Sequence, residues 1–220
     1  MTEKWVFIGR LIHIAFGFIA LSTGFIIIFI KKGTSIHKVF GKTFLLALLT
    51  TCTFSLLLQI NRYFDAILAY QAVLGIYLGI SGFLDFNRYF ILSIRKSLQL
   101  ILPIITFFFC LFLLFLSYKG KINKNPSLIL ASISGGCIFS LVDITLQLRI
   151  IFRNKIRKHF LLPHAIKLVT AFIVMLSAFS STTFKFLETP YKETWPSIIG
   201  LPILYFWAIR KLTRAKLPSP

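Results

Sequence analysis

Asp143, His164 and Lys167 are the residues of this chain best placed to do chemistry, because each is an ionisable side chain within or at the edge of a long apolar stretch. Ionisable groups in such stretches are costly to bury and default to functional roles. Asp143 stands six residues before Arg149, about 9 Å deeper along a helix, too far for a short side chain to reach water. Pro163 suits the first turn of the helix that carries His164 and, one turn further in, Lys167. A contact from Asp143 to Lys167 or to His164 would explain how both charges are tolerated. His37 opens an apolar run at similar depth, so His37, Asp143, His164 and Lys167 are expected to form one polar cluster.

Two chemistries suit that cluster. His37 and His164 have the geometry to flank the iron of one haem b or to contact a quinone, with Asp143 orienting an imidazole as carboxylates behind ligating histidines do. Alternatively, Asp143, His164 and Lys167 exchange protons in a transporter or relay. A third possibility is that the pair only ties two helices together in a non-catalytic assembly protein. Arg10 and His13, three apart on one helix face, form a smaller polar site toward the opposite side. His13 is separated from Ile30 by 17 residues, about 25 Å of helix, so it shares no metal with His37. Neither a zinc-protease motif, a phosphate-binding glycine loop, a nucleophile elbow nor paired catalytic carboxylates is present, and no enzyme class or metal site follows.

The elements that position these residues are apolar spans. Hydrophobic residues make up 57% of the 220-residue chain, and the mean hydropathy is +0.84; soluble domains contain roughly 45–50% apolar residues. Seven spans are expected: Trp5 to Ile30, Val39 to Ile60, Phe64 to Phe83, Leu98 to Tyr118, Ser127 to Ile151, Pro163 to Phe184, and a shorter one, Pro196 to Ile209, interrupted by Pro202. Most reach the roughly 20 residues needed to cross about 30 Å of hydrocarbon. The first is too long for a signal peptide and lacks a small-x-small cleavage site. No loop is long enough to fold separately, so residues 1–220 form one all-α membrane domain. No internal repeat is evident, which disfavours an inverted-repeat transporter.

Charge gives the orientation. Lys and Arg number 16 around the first, third and fifth gaps and the C-terminal tail, against 7 around the other gaps and the N-terminus. The positive-inside rule then places the N-terminus outside and the C-terminus in the cytoplasm, in a bacterial inner membrane. The net charge of +19 lies in the loops, so it serves topology and attraction to anionic lipid rather than nucleic-acid binding. His159 falls in one such basic loop and is expected to be solvated. Cys52, Cys110 and Cys137 all lie inside spans, as small apolar residues rather than disulfide partners.

Small residues mark faces where helices approach closely. His13, Gly17, Ala20 and Gly24 form one stripe, Ser132, Gly136, Ser140 and Asp143 a second, and Gly75, Gly79 and Gly82 a third, with Tyr70 and Tyr77 seven apart on the same span.

Several of these residues recur as a pattern. The stretch from His13, Gly17, Ala20-Leu21 and Gly24 to Lys32-Gly33, His37-Lys38 and Gly41-Lys42 resembles the bacterial domain-of-unknown-function 2306 family of multi-pass membrane proteins. Tyr77 with Ser81-Gly82, Asp143, and His164 followed by Ser177-Ala178-Phe179 are similar to later signatures of that family. Where the family carries Arg-Met after the last histidine, this chain has Lys167-Leu168. The resemblance implies the topology and the polar positions, and no reaction.

Overall fold

The structure, a computed structural model, describes residues 3–60, 65–86, 92–119, 126–153, 161–188 and 191–214. Arg62, Phe64, Arg88, Lys121, Lys124, Lys155, Arg157, Lys158, His159 and Lys216, which entered the span and charge assignments, lie outside them. The described residues form helices α1 (Glu3–Phe29), α2 (Ser35–Ile60), α3 (Ala66–Phe86), α4 (Leu92–Tyr118), α5 (Pro126–Arg153), α6 (Leu161–Thr183) and α7 (Tyr191–Arg214). Helices are what apolar runs of this length must form in lipid, where every backbone N–H and C=O needs a partner within its own segment. Segments of α1 to α6 are long and apolar enough to cross a membrane.

Local chemistry fixes the helix ends. Between α1 and α2, Lys32 Nζ donates to the carbonyls of Ile27 (2.7 Å) and Ile28 (3.2 Å), groups that the helix itself leaves unpaired. Gly33 then takes φ 87°, a left-handed conformation that glycine adopts without a Cβ clash. Thr34 Oγ1 accepts the His37 backbone N–H at 3.2 Å, an N-cap for α2. The Lys-Gly stretch is therefore a capped helical hairpin. Asp65 Oδ1 caps α3 in the same way, accepting from the N–H groups of Ile67 (3.0 Å) and Leu68 (3.3 Å).

Helix α3 is the axis of the bundle. Fifteen of its 21 residues are buried, against four of the 27 in α1, and α2, α4, α5 and α6 all pack on it. Its composition allows this. A Cβ added at Gly75 would lie 2.9 Å from Cys52 Sγ, and one at Gly79 would lie 2.9 Å from Leu48, so α2 rests directly on the α3 backbone. Tyr70 OH donates to the Ser132 carbonyl at 2.8 Å and Tyr77 OH to Asp143 Oδ2 at 2.7 Å; advancing on α3 advances on α5, so the two run parallel. The stripe on α1 meets α2 and α6, with Gly17 against Thr51 and Gly24 against Phe44 and Phe172.

Several elements extend past their expected limits: α2 starts at Ser35 rather than Val39 and α3 runs to Phe86 rather than Phe83. Helix α4 starts at Leu92, not Leu98, which makes Arg95 and Lys96 helical; their long side chains keep charge at the rim while the backbone continues. Helix α7 runs through both Pro196 and Pro202. It lies antiparallel along α6: Trp195 Nε1 donates to Ser180 Oγ at 2.6 Å, and a Cβ on Gly200 would stand 2.8 Å from Ile173.

Candidate functional site

Lys167 is the centre of the site. Its ammonium donates to Ser81 Oγ at 2.6 Å and pairs with Asp143 Oδ2 at 2.8 Å and Asp85 Oδ2 at 3.1 Å. An ammonium has three N–H donors, and here three oxygens receive them. The side chain is buried, as are both carboxylates. The expected Asp143–Lys167 contact is thus formed, and of the two partners weighed for Asp143 it is Lys167, not His164, that takes it.

Four helices assemble this arrangement. Tyr77, Ser81 and Asp85 stand four residues apart on α3 and so share one face. Helix α5 supplies Asp143, α6 supplies Lys167, and α4 supplies Gln99, whose Nε2 donates to Asp85 Oδ1 at 3.1 Å. Arg95 on the same helix donates to the Asp85 backbone carbonyl at 3.4 Å. Pro103 has no N–H to close on the Gln99 carbonyl four residues earlier, so α4 lacks one backbone bond at the turn that meets Asp85. Asp143 Oδ2 receives both Lys167 and the Tyr77 hydroxyl. Charge-assisted hydrogen bonds of this kind are the stronger ones.

Asp85 is the member that the sequence reading omits. Two residues beyond the apparent end of an apolar run at Phe83, it reads as a loop carboxylate. The signal was the stripe itself: extending the Tyr77 and Ser81 face by one turn arrives at Asp85.

The histidines occupy the same end of the bundle in a different way. His164 Nδ1 is 2.8 Å from the Gly82 carbonyl; since a carbonyl only accepts, Nδ1 is the donor. The Phe86 ring lies 5.3 Å from it. His164 is within electrostatic range of Asp85 and of His37. His37 Nδ1 is buried with no hydrogen-bond partner among the described residues. The structure therefore brings Asp143 and Lys167 into direct contact and sets His164 and His37 beside that contact rather than in it.

At the far end, His13 Nδ1 is 3.0 Å from the Thr51 carbonyl, joining α1 to α2. Arg10 is exposed and has no hydrogen-bond or ion-pair partner among the described residues, so it is not joined to His13. Among the described residues, no three His, Cys, Asp or Glu side chains are grouped to hold a metal ion. Cys52 and Cys110 are buried and Cys137 is half-buried, all as free thiols.

The arrangement sets two carboxylates on one ammonium, with the Arg95 guanidinium on the Asp85 carbonyl beside them. No protein-family model matches the chain, and neither a curated protein nor a solved structure shows significant similarity to it.

Proposed function

We propose that this is a seven-span inner-membrane protein, N-terminus outside, whose Asp85–Lys167–Asp143 cluster is a proton-exchange site of a transporter or relay on the cytoplasmic side. The observation that carries the proposal is the sharing of one buried ammonium by two buried carboxylates, at 2.8 and 3.1 Å. Two carboxylate acceptors within 3.1 Å of one ammonium give a proton a short path between buried groups, and ionisable groups inside a membrane span default to functional roles. His164, beside Asp85 at the basic end, and His37 beyond it give protons a polar approach. The antiparallel register of α7 along α6 supports a seventh span, and the basic residues of the alternate gaps support the orientation and contact with anionic lipid. Kinship with the domain-of-unknown-function 2306 family is part of this proposal. It rests on the Lys32-Gly33 turn, the α1 and α5 stripes, Asp143 and His164.

The test is proton movement across vesicles containing the purified protein, followed with an entrapped pH-sensitive dye under an imposed gradient. Asp143→Asn, which is close in shape and keeps an acceptor for Tyr77, is expected to lower the flux at least tenfold with the helical content intact. Flux equal to the unsubstituted protein would remove Asp143 from the mechanism.

A redox module is the second reading, and the His164–Gly82 hydrogen bond favours it. Ligating histidines commonly anchor one nitrogen on a carbonyl and present the other to the metal. His164 and His37 are the residues that would hold a haem, which would supply one-electron transfer, and the same pair would face a quinone. A reduced-minus-oxidised haem spectrum of the purified protein, abolished by His164→Ala, would establish this reading. A colourless, folded protein from haem-supplemented cells would turn the choice to proton exchange.

A further inference from the structure

We propose that His13, Thr51, Ser55, Gln59 and Gln71 hold ordered water in the half of the bundle away from Lys167, and that this water is the far-side approach for the protons the Lys167 cluster exchanges. This deepens the proton-exchange reading and rests on it.

The five side chains come from three helices and meet at one depth. Gly75 packs on Cys52 and Gly79 on Leu48, so a step of four along α3 is a step of four back along α2, and Gln71 comes level with Ser55. Gly9 packs on Phe54 and Leu58, and Gly17 on Thr51, which brings His13, midway between those glycines, to the same turn of α2. Thr51, Ser55 and Gln59 stand four apart and share one face. Thr51 looks toward α1: its Oγ1 lies 3.9 Å from a Cβ placed on Gly17, and its carbonyl is 3.0 Å from His13 Nδ1. Gln71 is one turn before Gly75, on the face of α3 that meets α2.

Partners are what these groups lack. Thr51 and Gln71 are each only 8% exposed, and neither Thr51 Oγ1 nor Gln71 Oε1 has a hydrogen-bond partner among the described residues. Gln59 Oε1 is a third such oxygen, although its Nε2 donates to Ser55 Oγ at 3.4 Å. Buried polar groups are almost always paired, and each one left open bears its full desolvation cost. Water answers all three, since it donates to amide oxygens, pairs either way with a hydroxyl, and typically makes about three hydrogen bonds when buried. Other guests fit less well. The five side chains include no carboxylate or ammonium, so an ion would enter without a counter-charge. One turn deeper the helices touch, with a Cβ on Gly75 only 2.9 Å from Cys52 Sγ, which leaves no depth for a larger solute.

The polar seam stops short of the cluster. Gln71 and Ser81 are ten residues apart on α3, about 15 Å, and at the levels between them Ala20, Leu48 and Leu78 are buried and apolar. That dry layer holds the water off from Lys167 in this conformation, so protons pass from the far end only when Leu48 and Leu78 part.

The experiment is X-ray radiolytic hydroxyl-radical labelling of the purified full-length chain in detergent, in which radicals formed from bound water oxidise the side chains beside it. Two native thiols make the comparison internal. Cys52 follows Thr51 and lies against Gly75, at the edge of the seam, whereas Cys110 on α4 is buried in the apolar core. Cys52 should be oxidised at least tenfold faster than Cys110, and Gln71→Leu or Thr51→Val should bring it down to the Cys110 rate. Thr51→Val keeps the shape and the backbone carbonyl that faces His13, so it decides alone if Gln71→Leu does not fold. Both variants should also lower proton flux in vesicles at least tenfold. Equal oxidation of the two thiols in the unsubstituted protein, or Cys52 oxidation unchanged in the folded variants, would overturn the inference. Full flux in variants that have lost the label would overturn it too; if Asp143→Asn still abolishes that flux, proton exchange stands without this approach. Absence of flux through the unsubstituted protein would remove proton exchange and, with it, the role given to the water, even with Cys52 labelled.

Discussion

Lys167→Met is expected to be the most destabilising single substitution in the protein, lowering stability by about 3–5 kcal/mol, the range for removing one partner of a buried ion pair. Methionine fills the space of the lysine stem, so packing changes little and the loss is electrostatic. Asp85 and Asp143, both buried and both within 3.1 Å of the missing ammonium, would face each other without the cation they share, and Ser81 would lose its donor. Replacing both aspartates by Asn in the Lys167→Met background should recover most of the loss, since neutral groups of matched shape carry no unpaired charge. Thermal unfolding in detergent, followed by tryptophan fluorescence, measures both. A variant as stable as the original at neutral pH would mean that the cluster is not ionic.

Gly136→Ala should cause the largest loss among the packing positions, about 1–3 kcal/mol, the range for adding a methyl group to a filled site. A Cβ there would collide with the Tyr70 hydroxyl and lie 2.7 Å from its Cε2 and 2.9 Å from its Cζ. The ring has nowhere to retreat, because Tyr70 is buried and its hydroxyl is held by the Ser132 carbonyl at 2.8 Å. Gly135, the adjacent residue on α5, has no neighbour within 4 Å of its added Cβ, so Gly135→Ala serves as the control and should be neutral or slightly stabilising through helix propensity. Unfolding midpoints of the two variants test this; equal midpoints would contradict the close α3–α5 approach.

Much of this was legible in the chain. The apolar runs that became α1 to α6 follow directly from length and hydropathy, since lipid leaves them only the helix. The small-residue stripes also marked places of close approach: those on α1, α3 and α5 each lie against another helix. The Asp143–Lys167 contact was open to inference because neither charge can stand alone at that depth. What escaped was at the edges. Asp85 and Arg95 sit within a few residues of a chain reversal, where hydropathy falls and a charged residue looks like loop, although the helices continue through both. The role of Lys32 escaped too, because a lysine after an apolar run reads as an orientation signal, whereas here it also closes the last carbonyls of α1. The prolines of α7 made its limits unreadable, since proline within a run ordinarily ends a helix but is tolerated where neighbouring helices support it.

The central claim is that the two carboxylates on Lys167 differ from an ordinary ion pair by one exchangeable proton. Infrared difference spectroscopy of protein labelled with 13C-aspartate tests it most directly, because the chain contains only three aspartates, Asp65, Asp85 and Asp143. Stepping the pH of protein in lipid should reveal a protonated-carboxyl band that shifts with the label and exchanges with deuterium. It should disappear in Asp85→Asn and Asp143→Asn while surviving in Asp65→Asn. A labelled protein whose Asp85 and Asp143 signals stay fully ionised across the whole pH range in which the bundle remains folded would contradict the account and leave the cluster as a static brace.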